Sequence, residues 1–183
     1  MMIIVLTGIP GVGSSTVLKG ALKEKSNFIS VNYGDVMFEI AREKGLVRER
    51  DEIRKLPAEI QKEIQKSAAK KISEMEGNII VDTHCTIRTP SGYLPGLPEW
   101  VLRELKPDQF VIIEANPKEI FDRRYKDKSR KRDIQSEAEI DEHQKMNRAM
   151  GMTYACLTGA PVKIIENHDK GLEKAIEELK KLL

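Results

Sequence analysis

Residues Val5-Leu6-Thr7-Gly8-Ile9-Pro10-Gly11-Val12-Gly13-Ser14-Ser15-Thr16 pass from an apolar run into a glycine-rich turn, then into a helix-compatible segment that extends to about Lys25. The run Ile3–Leu6 reads as a buried strand. Strand, glycine turn and helix in that order are the context of a phosphate-binding P-loop, whose pattern is Gly, four residues, Gly, Lys, then Ser or Thr. Gly8 and Gly13 have that spacing and Ser15 takes the hydroxyl position, but Ser14 stands where the lysine belongs. The glycines have a physical reason. A loop whose N–H groups converge on an anion needs unusual dihedrals and leaves no room for Cβ atoms. The start of the following helix adds partial positive charge where a phosphate sits. An ordinary tight strand-to-helix turn also favours Gly and Pro. The coincidence of strand, glycine spacing, hydroxyls and helix favours the phosphate cradle.

The 183 residues suit one domain with enough chain for a core. A net charge of +2 excludes a polyanion binder that works by bulk charge. Cys85 and Cys156 lie far apart with no metal-type spacing and read as free thiols in a reducing cytosol. No apolar run approaches membrane-spanning length and no signal-peptide pattern is present, so a soluble cytoplasmic protein is expected, with no membrane partner.

Further strand-length apolar runs occur at Phe28–Val31, Ile79–Val81, Phe110–Ile113 and Val162–Ile165, with helical segments between them. Alternating strands and helices predict an α/β fold with a parallel sheet covered on both faces. Ile60, Ile64, Ala68, Ile72 and Met75 follow a helical stripe, as do Leu172, Ala175, Ile176, Leu179 and Leu183. Ser136-x-x-Glu139 is a capping-box pattern that opens a long helix, and Gly159 closes it. The helical excursion between the second strand and Ile79 exceeds a minimal crossover and reads as an insertion forming one wall of a site.

Asp82 ends the run Ile79-Ile80-Val81, at the sheet edge where ligands bind in open α/β folds. Paired with Ser15 it is a candidate holder of Mg²⁺; alone it would read as an Asp capping a turn. In Arg123–Arg132, seven of ten residues are basic and one is acidic. Such a run is commonly a solvated helix face. In a nearly neutral protein it reads instead as a lid that closes over phosphates, with RNA-backbone binding as the rival. Thr83–Pro98 reads as one long loop rich in Gly and Pro, in which Arg88 is placed to grip a second phosphate. His84 reads equally as a ligand contact or a structural histidine, and Arg54 equally as a wall residue of the site or a surface charge.

Taken together, these stretches resemble the archaeal-type adenylate kinases over nearly the whole chain. The resemblance is carried by Gly8-Ile9-Pro10-Gly11-Val12-Gly13, Asn32-Tyr33-Gly34-Asp35-Val36-Met37, Asp51-Glu52-Ile53-Arg54-Lys55-Leu56, Val81-Asp82-Thr83-His84 and Arg88-Thr89-Pro90-Ser91-Gly92-Tyr93-Leu94-Pro95-Gly96-Leu97-Pro98. Arg130-x-Arg132-Asp133 and Met146-Asn147-Arg148-Ala149 add to it. It implies a P-loop nucleoside monophosphate kinase with a five-stranded parallel sheet. The core would span 1–32, 78–122 and 136–183, with an AMP-binding insertion at about 33–77 and a short lid at about 123–135. It implies the reversible, Mg²⁺-dependent reaction of ATP with AMP to give two ADP, and a homotrimer. By position, Gly8 to Thr16 would hold the ATP phosphates. Tyr33, Gly34, Asp35, Arg54, His84 and Arg88 would face AMP, and Arg124, Arg130 and Arg132 would serve catalysis from the lid. Asn167–Gly171 would lie against the ATP adenine. Two departures stand out. Bacterial adenylate kinases carry an arginine where this chain has Phe38, so Arg54 and Arg88 become the expected cations for the AMP phosphate. Ser14 removes the P-loop charge, which the lid arginines are then expected to supply. The competing readings are a kinase for another nucleoside monophosphate, and a nucleotide-regulated RNA or ribosome-assembly ATPase of the same fold. The match in the acceptor loop speaks against nucleic acid as the partner.

Overall fold

Five apolar runs pair into one parallel sheet in the order β2-β3-β1-β6-β7 in the computed structural model, which describes residues 1–23, 27–126 and 135–183. The strands are β1 (Ile3–Gly8), β2 (Phe28–Asn32), β3 (Asn78–Thr83), β6 (Gln109–Glu114) and β7 (Val162–Glu166). Each apolar run expected to be a strand is one. Successive side chains of a strand point to opposite faces. Ile3, Val5, Ile79, Val81 and Phe110 therefore enter one core, and Ile4, Leu6, Ile80, Val111 and Ile113 enter the other. Helices cover both faces, so the central strands β1, β3 and β6 carry apolar runs such as Ile79-Ile80-Val81, whereas the edge strands β2 and β7 admit Ser30 and Lys163.

Helices α3 (Ala58–Ser73), α4 (Glu99–Leu105) and α6 (Glu137–Thr158) pack on the first face; α1 (Ser14–Leu22) and α7 (Leu172–Lys180) pack on the second. The two helical stripes are where their spacing put them: Ile64, Ala68 and Ile72 of α3 and Ala175, Ile176 and Leu179 of α7 are buried. Helix α6 opens with the Ser136–Glu139 capping box and ends at Gly159 in the left-handed conformation. Helix α2 (Tyr33–Glu43), a 3₁₀ turn (Arg50–Lys55) and the start of α3 share a small cluster of their own, Ala41, Val47, Ile53 and Ile64. Among the described residues no helix is long and apolar enough to cross a membrane.

The stretch Thr83–Pro98 differs from the long loop expected. Residues Thr86–Thr89 (β4) and Gly92–Pro95 (β5) form an antiparallel hairpin, with Arg88 opposite Tyr93. The alternation of Thr86, Ile87 and Thr89 with the turn at Pro90-Ser91-Gly92 carries a hairpin signal that the density of Gly and Pro obscured. Buried side chains of α6 hold it in place. Thr86 Oγ1 donates to Asn147 Oδ1 at 2.5 Å, and His143 Nε2 meets Thr86 Oγ1 at 3.1 Å. Tyr154 O–H donates to the Cys85 carbonyl at 2.7 Å and accepts from Leu97 N–H at 3.0 Å. Burial pushes the Cys85 thiol up to about 12, so it packs as a small apolar group and not as a nucleophile. Helix α5 (Pro117–Lys126) holds the first part of the basic run. Arg130 and Arg132, with most of the expected lid, lie outside the described residues.

Candidate active site

The parallel register gathers the chemistry at one sheet edge. Leu6 and Asn32 are both opposite Asp82, so the exit of β1 into the loop, the end of β2 and the acid of β3 are neighbours. Here a cleft of about 1230 Å³ opens. Single small-molecule pockets commonly run to about 300–1,000 Å³, so its size suits two ligands better than one.

Its first wall is the glycine loop. Gly11 and Gly13 have φ of 89° and 87°, the left-handed region that a side chain disfavours. Val12 N–H donates to the Ile9 carbonyl at 3.1 Å, closing the turn. Gly13 caps α1 with no side-chain hydrogen bond, so the helix presents its first N–H groups to the cleft. Gly8, Ile9, Pro10, Gly11, Gly13, Ser14, Ser15 and Thr16 all line it. Val12 does not: it is 0% exposed and anchors the loop in the core. Its carbonyl accepts from Asn167 Nδ2 at 2.8 Å and from Arg123 Nη1 at 3.2 Å. Arg123 also bonds the Asn167 carbonyl at 2.9 Å and Asp169 at 2.7 Å. Arg124 donates to the Pro10 carbonyl at 2.6 Å and pairs with Gln135, so it grips the loop through its backbone and ties α5 to the residue before the Ser136 cap of α6.

The second wall comes from the inserted helices. Asn32 caps α2 by accepting Asp35 N–H at 3.1 Å. Arg50 reaches back across the turn to Asp35 at 2.5 Å and to Asn32 Oδ1 at 3.0 Å, and its side chain lines the cleft. Arg54 also lines it, with a side chain 73% exposed that, among the described residues, pairs only with Asp51 at 3.5 Å. A pair so exposed holds its members loosely. Tyr33 and Gly34 line the cleft, although the Tyr33 hydroxyl already donates to the Gln65 carbonyl at 2.7 Å; Asp35 instead holds Arg50.

Asp82 and His84 form part of the floor. Burial raises the pKa of Asp82, opposed by a hydrogen bond with Asn32 and by the charges of His84 and Arg50. The His84 imidazole touches solvent through the cleft, but enclosing protein is the first cause that lowers its pKa; Asp82 opposes this and Arg50 adds to it. Arg88 is placed differently from the expectation. Alternation along β4 turns Ile87 into the cleft, and Arg88 pairs with Glu139 of α6 at 2.5 Å, outside the lining.

Sequence reasoning singled out neither Arg50, Gln61 and Gln65 nor the hold that Arg123 and Asn167 have on the Val12 carbonyl. Arg50 and Arg123 sit in charged runs where no spacing distinguishes them. Asn32 and Asp35 at cap and third helical position did carry a signal for the start of α2. The two glutamines are one turn apart on α3, on a face the apolar stripe leaves free.

Comparison with known proteins gives the same answer along the whole chain. The family described as an AAA domain matches residues 7–141. The adenylate kinase of Methanothermobacter thermautotrophicus is 60% identical over 185 residues, covering 100% of each chain. That of Methanopyrus kandleri is 62% identical over 180 residues, covering 96% of this chain and 94% of its own. Among solved structures, the shikimate kinase of Acinetobacter baumannii in complex with shikimate is similar with a TM-score of 0.60 at 16% identity, covering 100% of this chain and 93% of that one; the likeness is one of fold. With a glycine loop and open helix start on one wall, arginines on the other and this identity from end to end, the chain belongs to the adenylate kinase family.

Proposed function

We propose that this protein catalyses the reversible, Mg²⁺-dependent transfer of a phosphoryl group from ATP to AMP, giving two ADP. The observation that carries the reading is the pairing of two anion-binding walls across one cleft: the open start of α1 on one side, Arg50 and Arg54 on the other. ATP would lay its phosphates along Gly8–Thr16. AMP would enter against Tyr33, Gly34 and His84 with its phosphate toward Arg50 and Arg54. Asp35 serves indirectly, by aiming Arg50.

Ser15 and Asp82 fit a Mg²⁺ site. Both line the cleft, and such ions take one or two protein oxygens together with phosphate oxygens and water. The ion would supply charge neutralisation on the phosphates. The protein's own share is position, positive charge and exclusion of water. Arg124 holds the loop and the base of the lid in one piece, and Arg130 and Arg132 are proposed to bring the charge that Ser14 does not. Arg88 would join the acceptor phosphate only by leaving Glu139.

A coupled assay with ATP, AMP and Mg²⁺ tests the reading: ADP forms at a rate that needs all three, and no ADP at elevated temperature overturns it. Offering UMP, CMP and GMP in the same assay tests the neighbouring acceptor readings. Light scattering tests the proposed homotrimer.

A further inference from the structure

Two peptide units of the glycine loop are held from behind. A trans peptide is planar, so its C=O and its N–H point to opposite sides. Among the described residues no peptide bond is cis. The Pro10 carbonyl accepts from Arg124 Nε at 2.6 Å, which turns the Gly11 N–H the other way. The Val12 carbonyl accepts from Asn167 Nδ2 at 2.8 Å and from Arg123 Nη1 at 3.2 Å, so both of its lone pairs are taken. The Gly13 N–H is turned away from those donors. Gly13 lines the cleft, while Val12 and Asn167, 0% and 5% exposed, stay behind it. Among the described residues neither the Gly11 nor the Gly13 N–H has a protein partner.

Asn167 is rigidly placed for this hold. It follows β7, and its own N–H donates to the Glu114 carbonyl at 2.7 Å, so the β6–β7 ladder runs one residue further and fixes its backbone. A carbonyl only accepts, so the amide end that meets Val12 is the NH₂. Glycine at position 13 leaves room for it, since a Cβ there would fall 2.6 Å from Asn167 Nδ2. Arg123 holds the same oxygen but lines the cleft, where a ligand can meet it directly. Asn167 does not line the cleft and reaches it only through the Val12–Gly13 peptide.

We propose that Asn167 is a positioning residue of the donor site: its amide holds the Val12 carbonyl in the interior, aims the Gly13 N–H into the cleft and so sets how tightly the loop takes a polyphosphate. Aim matters here because Ser14 brings no charge. A neutral N–H dipole attracts an anion only when it points at it, whereas an ammonium on a flexible stem can find the anion itself. The inference rests on the ATP phosphates lying along Gly8–Thr16, as proposed above.

Asn167→Leu keeps the shape and neutrality of the buried side chain and removes the donor; Asn167→Ala removes it without bulk. In both, calorimetry is expected to show MgATP and tripolyphosphate, which has no base, each bound about tenfold more weakly, the scale of a lost hydrogen bond together with the N–H it aims. The KM for AMP should stay within about twofold of the parent. In the parent the Gly13 amide proton should move downfield when tripolyphosphate binds, and in the variants that movement should fall to about half or less. Folded variants with a lowered melting temperature but parent-like binding and amide shift would make Asn167 merely structural and overturn the inference. Weaker MgATP binding with parent-like tripolyphosphate binding would make Asn167 a contact of the base and overturns it too. A parent that does not bind tripolyphosphate overturns the phosphate reading of the loop, and the inference with it.

Discussion

The two walls of the cleft are built in different ways. The wall proposed for the donor is made of backbone: a glycine turn and the open end of α1, set in place by Val12 and Ile9 in the core. The wall proposed for the acceptor is made of side chains. Arg50 is aimed by Asp35 and Asn32, and the amides of Gln61 and Gln65 are oriented by carbonyls and an indole. Backbone sites tolerate substitution of the side chains they carry but not of their glycines. Side-chain sites fail one contact at a time. This difference explains how Ser14 can stand in the lysine position without dismantling the cradle.

Asp82→Asn changes the floor between the walls and should have the largest effect. The Mg²⁺-dependent rate is expected to fall by orders of magnitude; steady-state kinetics retaining a rate within about threefold of the parent would remove Asp82 from the metal site. Its folded pKa lies above the ordinary value, so the charged form is the disfavoured one in the fold. As pH falls through that raised value, activity is lost while this group's contribution to stability improves. Asp82→Asn should accordingly unfold no earlier than the parent in a thermal melt.

Gly13→Ala should damage the donor wall alone. The added Cβ meets a left-handed φ and falls 2.6 Å from Asn167 Nδ2. We expect a loss of about 1–3 kcal/mol in stability by denaturant unfolding, from that backbone strain, together with a raised KM for ATP. A KM for AMP raised equally would break the separation of the walls. Arg50→Ala should do the converse, raising the KM for AMP about tenfold, the scale of one charge-assisted hydrogen bond, and leaving the KM for ATP unchanged. An unaffected KM for AMP would transfer the phosphate-binding role to Arg54. Ser14→Lys should have the smallest effect, with ATP binding by calorimetry equal to or modestly tighter than the parent's. Weaker binding would give Ser14 a role of its own.

The same difference between the walls governed what could be read from the sequence. The glycine loop was legible because only glycines reach φ near +88° at Gly11 and Gly13 without strain, and sequence records that need directly. The sheet was legible because burial on both faces leaves runs such as Ile79-Ile80-Val81 with no polar interruption. The hairpin was not, since its placement depends on Asn147, His143 and Tyr154, which are distant in sequence. Arg88 followed from that: once β4 is a strand, alternation decides its face, and it turns to Glu139. Arg50 was illegible because its meaning comes from Asp35, fifteen residues away, and not from its neighbours in the chain.

The Val12 carbonyl carries a consequence for how the molecule comes into being. It is fastened by residues 111 and 155 positions further along the chain, Arg123 and Asn167. Contacts at such separation form only after long loops have closed, which makes them late in folding. Strand β1 and helix α1 are near neighbours in sequence and Val12 N–H closes the turn between them locally, yet the Val12 carbonyl gains its Asn167 partner only when β7 has joined the sheet. A growing chain therefore completes the fastening of this loop near the end of synthesis, so ATP binding along it, as proposed above, should report on completed folding of the whole sheet and not on its first strand and helix.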